Sequence, residues 1–170
     1  MPGKRLSPWS NVAPAPAAPP ASAFYRAFNI NGPTVTIDGR KFEGKGAPDL
    51  QVAGAAIEMN QIPLLPPTDE ARTTMIHSFV FSPDGTWARL DKVPPGNYQV
   101  YIYVWEDNNA QNLDFLVQGQ AVLKNYNTGA AGHWDRLGPW PAAVTDGILE
   151  VRGTGGDFNL SGLEVWKAPK

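Results

Sequence analysis

Four consecutive polar residues, Glu106-Asp107-Asn108-Asn109, directly follow an apolar stretch and bring carboxylate and amide oxygens together. Such oxygens accept hydrogen bonds from sugar hydroxyls, and they are also the preferred ligands of hard cations such as calcium. Asn and Asp are common as well in solvated loops that end a strand. The tetrapeptide therefore predicts either a plain loop or a polar binding site, in which structural calcium would use the oxygens of Glu106, Asp107 and Asn108.

The apolar stretch itself, residues 98–105, alternates aliphatic with aromatic side chains. Successive residues of a strand face opposite sides, which puts Tyr101, Tyr103 and Trp105 in a row about 7 Å apart, opposite the aliphatic set. Burial of each ring is worth roughly 1.5–3 kcal/mol, so a row left in water is unfavourable. Either loops or the N-terminal segment around Trp9 cover these rings, or the rings form a platform on which a flat ligand face stacks.

Two further segments, residues 132–140 and 153–159, combine glycine with aromatic or acidic residues and are expected to be loops. Trp134 has an apolar face and one N–H donor, which suits stacking on a sugar ring, whereas Trp140 lies between two prolines and is expected to pack. Asp157 follows two glycines that allow close approach of a ligand, and its carboxylate accepts hydroxyl hydrogen bonds.

These residues provide little evidence for a catalytic site. Glu106 and Asp107 are adjacent, so in a strand their carboxylates point to opposite faces. The sequence has no cysteine and two histidines, which excludes disulfides and thiolate nucleophiles and leaves little for a histidine-based metal centre. We therefore expect a binding protein and not an enzyme, with no cofactor beyond the calcium considered above.

The composition is typical of one all-β domain. Gly and Pro, 17 each, make up a fifth of the 170 residues, well above the usual ~12%, which disfavours a helical bundle. The net charge of −2 disfavours nucleic acid as a partner, because proteins that bind it usually carry a positively charged surface. No uncharged apolar run approaches the ~20 residues of a membrane span.

Short strands separated by turn residues would position the candidate side chains. Residues 1–23 hold six Pro and six Ala and predict an extended linker or tail, and residues 24–170 predict the domain. Residues 51–60 are expected to be a short helix or a loop. Strands at this spacing, with turns such as Asp38-Gly39 and a hairpin at Gln118-Gly119-Gln120 between them, are typical of a β-sandwich. The expected strands are 34–37, 74–81, 86–90, 98–105, 113–117, 121–123, 148–152 and 160–166.

The order of several short motifs along residues 24–167 resembles that of malectin-like domains. The motifs are 28–33 (FNINGP), 35–39 (VTIDG), 96–100 (GNYQV), 113–119 (LDFLVQG), 146–149 (DGIL) and 156–165 (GDFNLSGLEV). The resemblance implies a jelly-roll β-sandwich of two antiparallel sheets, which in many members is a non-catalytic carbohydrate-binding module of a bacterial polysaccharide-active enzyme.

The same resemblance implies a sugar site in the loops at one end of the sandwich, built from aromatic side chains and an aspartate. Asp157 corresponds to that aspartate, and Phe81 lies near one family aromatic. Asn108 and Asn109 replace the aromatic pair that the family places after the central strand.

The leading hypothesis is a non-catalytic carbohydrate-binding module of a larger secreted, extracellular bacterial protein, tethered to other domains of that protein. It would hold a polysaccharide or oligosaccharide by aromatic stacking and hydroxyl hydrogen bonds. The alternative is a structural or protein-interaction β-sandwich of a multidomain surface protein, with its aromatic row buried against a partner. The side chains expected to contact the sugar are Phe81, Tyr101, Tyr103, Trp105, Asn108, Asn109, Trp134 and Asp157.

Overall fold

The structure is a computed structural model, and it describes residues 21–170. The predicted Pro/Ala-rich segment 1–23, with Trp9, therefore lies outside the described residues except for its last three. The elements of the described range, in chain order, are β1 (Ala23–Asn29), β2 (Val35–Ile37), β3 (Arg40–Glu43), β4 (Leu50–Ala53), β5 (Ala55–Ile57), α1 (Glu70–Ile76), β6 (Phe79–Phe81), β7 (Trp87–Leu90), β8 (Gly96–Trp105), β9 (Asn112–Val117), β10 (Gln120–Asn127), β11 (Trp134–Val144), β12 (Leu149–Thr154) and β13 (Asn159–Lys167).

The strands form two sheets. In the larger, 8-stranded sheet the order is β11-β8-β13-β1-β3-β2, with β6 paired to both β13 and β5. The 5-stranded sheet has the order β10-β9-β12-β7-β4. Neighbouring strands are antiparallel except for β1 and β3, which pair in parallel. The all-β sandwich prediction is confirmed, and this parallel pair is its one departure from purely antiparallel sheets.

The main core lies between the two sheets. Val100, Ile102 and Val104 of β8, which the alternation pattern assigns to the core face, are fully buried there. From the smaller sheet, Phe115 packs against Trp140 with ring centroids 5.6 Å apart. Trp140 is thus a packing residue, as its flanking prolines suggest.

A second apolar cluster covers part of the outer face of the larger sheet. Tyr103 and Trp105 point away from the main core, yet each is only 1% exposed. The Trp105 ring lies 5.3 Å from Phe79 and 5.4 Å from His77, and the Tyr103 ring lies 6.1 Å from Phe42, between centroids. The prediction of a solvent-facing platform is therefore wrong for both residues, because α1, β3 and β6 of the same chain cover them.

The covering segment has a different secondary structure from the predicted one. The pattern at 74–81 predicts a single strand, but α1 continues to Ile76 and β6 takes up only the last three residues. Asp69 caps the helix, because its Oδ1 accepts a hydrogen bond from the backbone N–H of Arg72 at 2.9 Å. Met75 is fully buried against the outer face, so tertiary packing overrides the strand preference of this stretch.

Two predicted turns are confirmed by their backbone geometry. Asp38-Gly39 joins β2 to β3 with φ of 51° and 75°, and Gln118-Gly119 joins β9 to β10 with φ of 51° and 74°. Positive φ at both central residues suits a two-residue hairpin, and glycine adopts it without strain.

Two stretches that are not expected to be strands nevertheless pair with other strands. Residues 51–60 contain β5 and most of β4, and β4 pairs with β7. The segment 132–140 contains the start of β11, which pairs with β8 at Trp134, opposite Trp105. These partners lie far away in sequence, so local composition does not reveal them.

Two tyrosine hydroxyls make the stability of the domain sensitive to alkaline pH. Burial, together with hydrogen bonds to Glu164 (2.9 Å) and Asp135 (2.6 Å), raises the pKa of Tyr103 and Tyr126 above its ordinary value. Above about pH 10 the unfolded chain ionises both phenols while the folded domain keeps them neutral, so stability falls as the pH rises.

We expect the melting temperature, followed by circular dichroism, to fall above about pH 10, and the Tyr103→Phe/Tyr126→Phe protein to show a shallower fall. Equal slopes for the two proteins would contradict this assignment.

Candidate functional site

Loops and strand ends at one end of the sandwich enclose an open concavity of about 300 Å³, the loop-end cleft. Ile57 of β5 and Phe79 and Phe81 of β6 form the apolar part of its lining. The polar part comes mainly from the loop between β8 and β9 and from Asp157, between β12 and β13. An apolar wall beside a few convergent polar groups is the usual make-up of a small-ligand site.

Glu106 fixes the start of the loop between β8 and β9. Its Oε1 accepts a hydrogen bond from the backbone N–H of Asn108 at 2.8 Å, and its Oε2 accepts one from the hydroxyl of Thr128 at 2.6 Å. Its backbone N–H donates to the carbonyl of His133 at 2.9 Å, and its carbonyl accepts from Gly132 at 2.7 Å. Glu106 is buried, and both of its carboxylate oxygens hold the loop in shape.

Asp107 joins three segments around the cleft. Its Oδ2 accepts a hydrogen bond from Nδ2 of Asn60, and its Oδ1 accepts one from Nδ2 of Asn159, each at 2.8 Å. Oδ1 of Asn60 in turn accepts from the backbone N–H of Ile62 at 3.0 Å. The segment after β5, the loop after β8 and the start of β13 are thereby locked together, so the cleft is pre-formed.

The hydrogen bonds of Glu106 and Asp107 also matter for the expectation that these residues bind calcium. Each carboxylate oxygen of Glu106 and Asp107 already accepts a hydrogen bond from the protein. Within residues 21–170, no three His, Cys, Asp or Glu side chains converge to form a group that could hold a metal ion. This donor set does not fit calcium, which takes about six to eight oxygens.

The loop between β12 and β13 places Asp157 at the rim of the cleft. Gly155 has a φ of 98°, which allows the chain to turn there, and a Cβ atom at Gly156 would lie 2.6 Å from Oε1 of Gln111. A side chain at position 156 would therefore require the Gln111 amide to move aside. An exposed carboxylate and an amide, both able to bond hydroxyl groups, stand side by side on adjacent loops.

The cleft unites three of the predicted contact residues, Phe81, Asn108 and Asp157, which come from three segments far apart in sequence. Asn109 is exposed beside the cleft without lining it, and its Nδ2 donates to Oδ1 of Asn108 at 3.1 Å.

Trp134 and Tyr101 lie elsewhere. Trp134 stacks on Tyr103 with centroids 6.5 Å apart and an interplanar angle of 15°, and its Nε1 donates to the carbonyl of Pro66 at 2.7 Å. Tyr101 lies half-buried on the outer face of the larger sheet, where the guanidinium carbon of Arg136 is 3.5 Å from its ring centroid. Neither residue lines the cleft.

Of the lining residues that are not among the predicted contacts, three have side-chain amides: Asn60, Gln111 and Asn159. Gln111 lies two residues before the predicted strand 113–117, and Asn159 directly precedes the predicted strand 160–166, so both could be found among the polar residues near strand ends. Asn60 has no such signal, because the neighbouring strand β5 is itself unpredicted.

Several solved structures share this fold. The extracellular domain of ANXUR1 from Arabidopsis thaliana matches with a TM-score of 0.65 at 13% sequence identity, over 88% of this chain and 49% of that one. The ANX2 ectodomain from the same plant matches with a TM-score of 0.62 at 13% identity, over 88% and 50% of the two chains. A β-glucuronidase from Bacteroides uniformis matches with a TM-score of 0.66 at 14% identity, over 84% and 18%.

The chain thus spans at most half of the receptor ectodomains and less than a fifth of the glucuronidase. At these identities the likeness shows the β-sandwich fold. No family model matches the sequence, and no curated protein is significantly similar to it. In the described part of the chain, no helix has both the length and the apolar character needed to cross a bilayer.

Proposed function

We propose that the domain is a non-catalytic carbohydrate-binding module and that the loop-end cleft holds the sugar. The observation that carries this proposal is the meeting of Phe81 with the polar groups of Gln111 and Asp157 in one pre-formed concavity. An aromatic face beside short polar side chains suits a pyranose ring, which offers apolar C–H faces and hydroxyl-bearing edges.

The expected affinity follows from the number of contacts that such a cleft can make. Stacking on Phe81 contributes about 1 kcal/mol beyond area burial. Each hydrogen bond to a sugar hydroxyl contributes a net ~1 kcal/mol, because water must be displaced. A few such contacts together amount to about 4–8 kcal/mol, which corresponds to Kd values from millimolar to micromolar.

Two observations support a secreted bacterial protein with further domains as the setting. The motif order is malectin-like, and this family supplies binding modules to bacterial polysaccharide-active enzymes. The fold is shared with two receptor ectodomains and with a segment of a glucuronidase, each part of a longer chain.

The proposal that the domain is non-catalytic rests on how few carboxylates in the cleft are free to react. Hydrolysis of a glycosidic bond by the common route needs two available carboxyl groups, about 5–9.5 Å apart, on either side of the bond. Glu106 and Asp107 are both engaged in holding loops together, as described above. Asp157 is then the one exposed carboxylate of the lining, which suits hydroxyl binding better than acid–base catalysis.

The protein-interaction alternative loses its main support in this structure. It required a partner to cover the aromatic row of β8. The chain itself already covers Tyr103 and Trp105, which leaves only Tyr101 of that row near solvent.

Calorimetric titration with soluble β-glucan, α-glucan, xylan and mannan oligosaccharides, and pull-down on the insoluble polymers, tests the proposal. We expect binding to at least one series, with a Kd between about 1 μM and about 1 mM. Absence of binding across the whole panel would overturn the proposal, and release of reducing ends from any of these polymers would overturn its non-catalytic part.

Phe81→Ala is expected to weaken binding of the recognised sugar about tenfold, because the stacking surface is lost. Asp157→Ala is expected to weaken it about tenfold or more, since hydrogen bonds to a charged group are worth about 1.5–3 kcal/mol. Phe24→Ala and Glu70→Ala, which change an exposed aromatic and an exposed acid outside the cleft, are the matched controls and should retain wild-type affinity. Unchanged affinity in both folded cleft variants would place the sugar elsewhere.

A further inference from the structure

A second concavity lies on the outer face of the larger sheet. The second apolar cluster covers the Trp105 end of β8, but the Gln99 end of that strand is left open as a groove of about 350 Å³, which we call the arginine groove. One arginine comes from the start of β3, beside the β2–β3 turn, and another from β11 at the edge of the sheet. The lining side chains are Ser22, Asp38, Arg40, Gln99, Tyr101, Arg136 and Trp166.

A buried carboxylate orients one arginine and one aromatic ring of this groove. Glu164 is 4% exposed and accepts hydrogen bonds from Nη2 of Arg136 at 2.5 Å, from Nε1 of Trp166 at 3.1 Å and from the hydroxyl of Tyr103 at 2.9 Å. The Arg136 guanidinium carbon also lies 3.5 Å from the ring centroid of Tyr101. Arg136 is therefore held flat on an aromatic face while its side chain stays 38% exposed.

The other arginine of the groove is Arg40. The guanidinium carbon of Arg40 lies 4.5 Å from the ring centroid of Trp166, and its Nη1 donates to the backbone carbonyl of Asp38 at 3.3 Å. The Asp38 carboxylate lines the same groove and pairs with Nη2 of Arg72 at 2.6 Å, and Arg72 also pairs with Asp69. No carboxylate of residues 21–170 forms an ion pair with Arg40.

We propose that the arginine groove is a second saccharide site and that it selects uronic-acid residues, an inference that rests on the proposed carbohydrate-binding function of the domain. A guanidinium stacked on an aromatic ring keeps its N–H edge available, and that edge matches the two oxygens of a carboxylate. Arg40, which forms no ion pair within residues 21–170, supplies one guanidinium, and Arg136 supplies a second, pre-oriented donor. The Ser22 hydroxyl donates to Oε1 of Gln99 at 2.5 Å, which leaves Nε2 of Gln99 as a donor to the ring hydroxyls of the same sugar.

The test uses two probes that differ only in their carboxylates. One is a chain of four β-1,4-linked glucuronate residues, and the other is cellotetraose, which has a CH₂OH group in place of each carboxylate. Calorimetry at low salt is expected to show binding of the glucuronate chain at least about tenfold tighter than that of cellotetraose at this site. The preference should shrink as salt is added, since the arginines are partly exposed.

Substitutions of the two arginines test whether the preference for glucuronate over cellotetraose arises in the arginine groove. Arg40→Gln is expected to weaken glucuronate binding at least about fivefold, and Arg136→Lys, which keeps a cation beside Glu164 but loses the planar fork, at least about threefold. Arg152→Gln is the matched control, because Arg152 lies over Trp87 on the other sheet, with 6.0 Å from its guanidinium carbon to the ring centroid. It should leave glucuronate binding unchanged.

Different results would contradict the loop-end cleft and the arginine groove. Phe81→Ala should leave the Arg40-dependent binding of glucuronate intact, and Arg40→Gln should leave the binding of neutral sugars intact. Equal affinity for glucuronate and cellotetraose, or a glucuronate preference unchanged in folded Arg40→Gln protein, would overturn the arginine groove as a uronate site. Neither result affects the loop-end cleft, which is tested by the panel of neutral oligosaccharides and by the Phe81 and Asp157 variants.

Discussion

Replacing Trp105 with alanine is expected to lower the free energy of unfolding by about 3–5 kcal/mol. The residue type and strand position alone favour a ligand contact, but the side chain is buried beneath α1 and β6. Truncation removes its contacts with Phe79 and His77 and leaves a cavity that the neighbouring side chains fill only in part. Urea unfolding followed by circular dichroism measures the loss, which is a large part of the ~5–15 kcal/mol typical of a domain.

Trp105→Phe and Trp87→Ala are the controls for this prediction. Within the described residues Nε1 of Trp105 has no hydrogen-bond partner, so Trp105→Phe loses ring volume alone and should cost about 1–2 kcal/mol. Trp87 is half-exposed on the smaller sheet, and its truncation should cost less than that of Trp105. A Trp105→Ala protein as stable as the wild type, with only sugar binding lost, would show that Trp105 acts at the surface.

Glu164→Leu is expected to destabilise the domain by about 3 kcal/mol or more, because it leaves buried donors without their acceptor. The hydroxyl of Tyr103 and Nε1 of Trp166 both lose a partner, and Arg136 loses its counter-charge. Arg136 can turn toward water, which keeps the expected loss at the lower end of the range for a broken buried ion pair. Thermal and urea unfolding both report this change.

Glu150→Leu is the matched control for Glu164→Leu, since it removes the carboxylate of an ion pair with Arg152 that is much more exposed. Exposed pairs are worth about 0–1 kcal/mol, so the control should lie within that range. Equal losses for the two variants would mean that Glu164 does not act as the buried acceptor of this network.

Local patterns predict the central strands well. The alternation of aliphatic and aromatic residues over 98–105 matches β8, and the Gln118-Gly119 turn correctly joins β9 to β10. The same alternation assigns Tyr103 and Trp105 to the outer face, which is correct. Each of these features depends on residues that are neighbours in the chain. A local sequence pattern is therefore enough to predict it.

The incorrect predictions depend on contacts between distant segments. Whether Trp105 is open or covered is decided by α1 and β6, some 25–35 residues earlier in the chain. Residues 74–77 have strand-like side chains, but the cap at Asp69 and the burial of Met75 make them part of a helix and its end. The edge strand β11 likewise owes its conformation to pairing with β8.

The candidate site could be predicted only in part, because contacts between distant segments position some of its residues. Phe81, Asn108 and Asp157 could be named from motif order and residue type, before any contact between them was known. Asn60 could not, because its position depends on β5 and on a hydrogen bond to Asp107, 47 residues away. The structural roles of Glu106 and Asp107 could not be predicted either, since Thr128, Asn60 and Asn159, which donate to their carboxylates, lie on other segments.

Backbone-amide NMR during titration with the tightest-binding neutral oligosaccharide tests the central proposal most directly. If the loop-end cleft holds the sugar, the largest chemical-shift changes will occur at Phe81, Asn108, Gln111 and Asp157. In Phe81→Ala these changes will need about tenfold more sugar to reach half of their maximum, and in Phe24→Ala they will follow the wild-type titration. Large changes confined to the outer face of the larger sheet or to the smaller sheet, with these four amides unmoved, would contradict it.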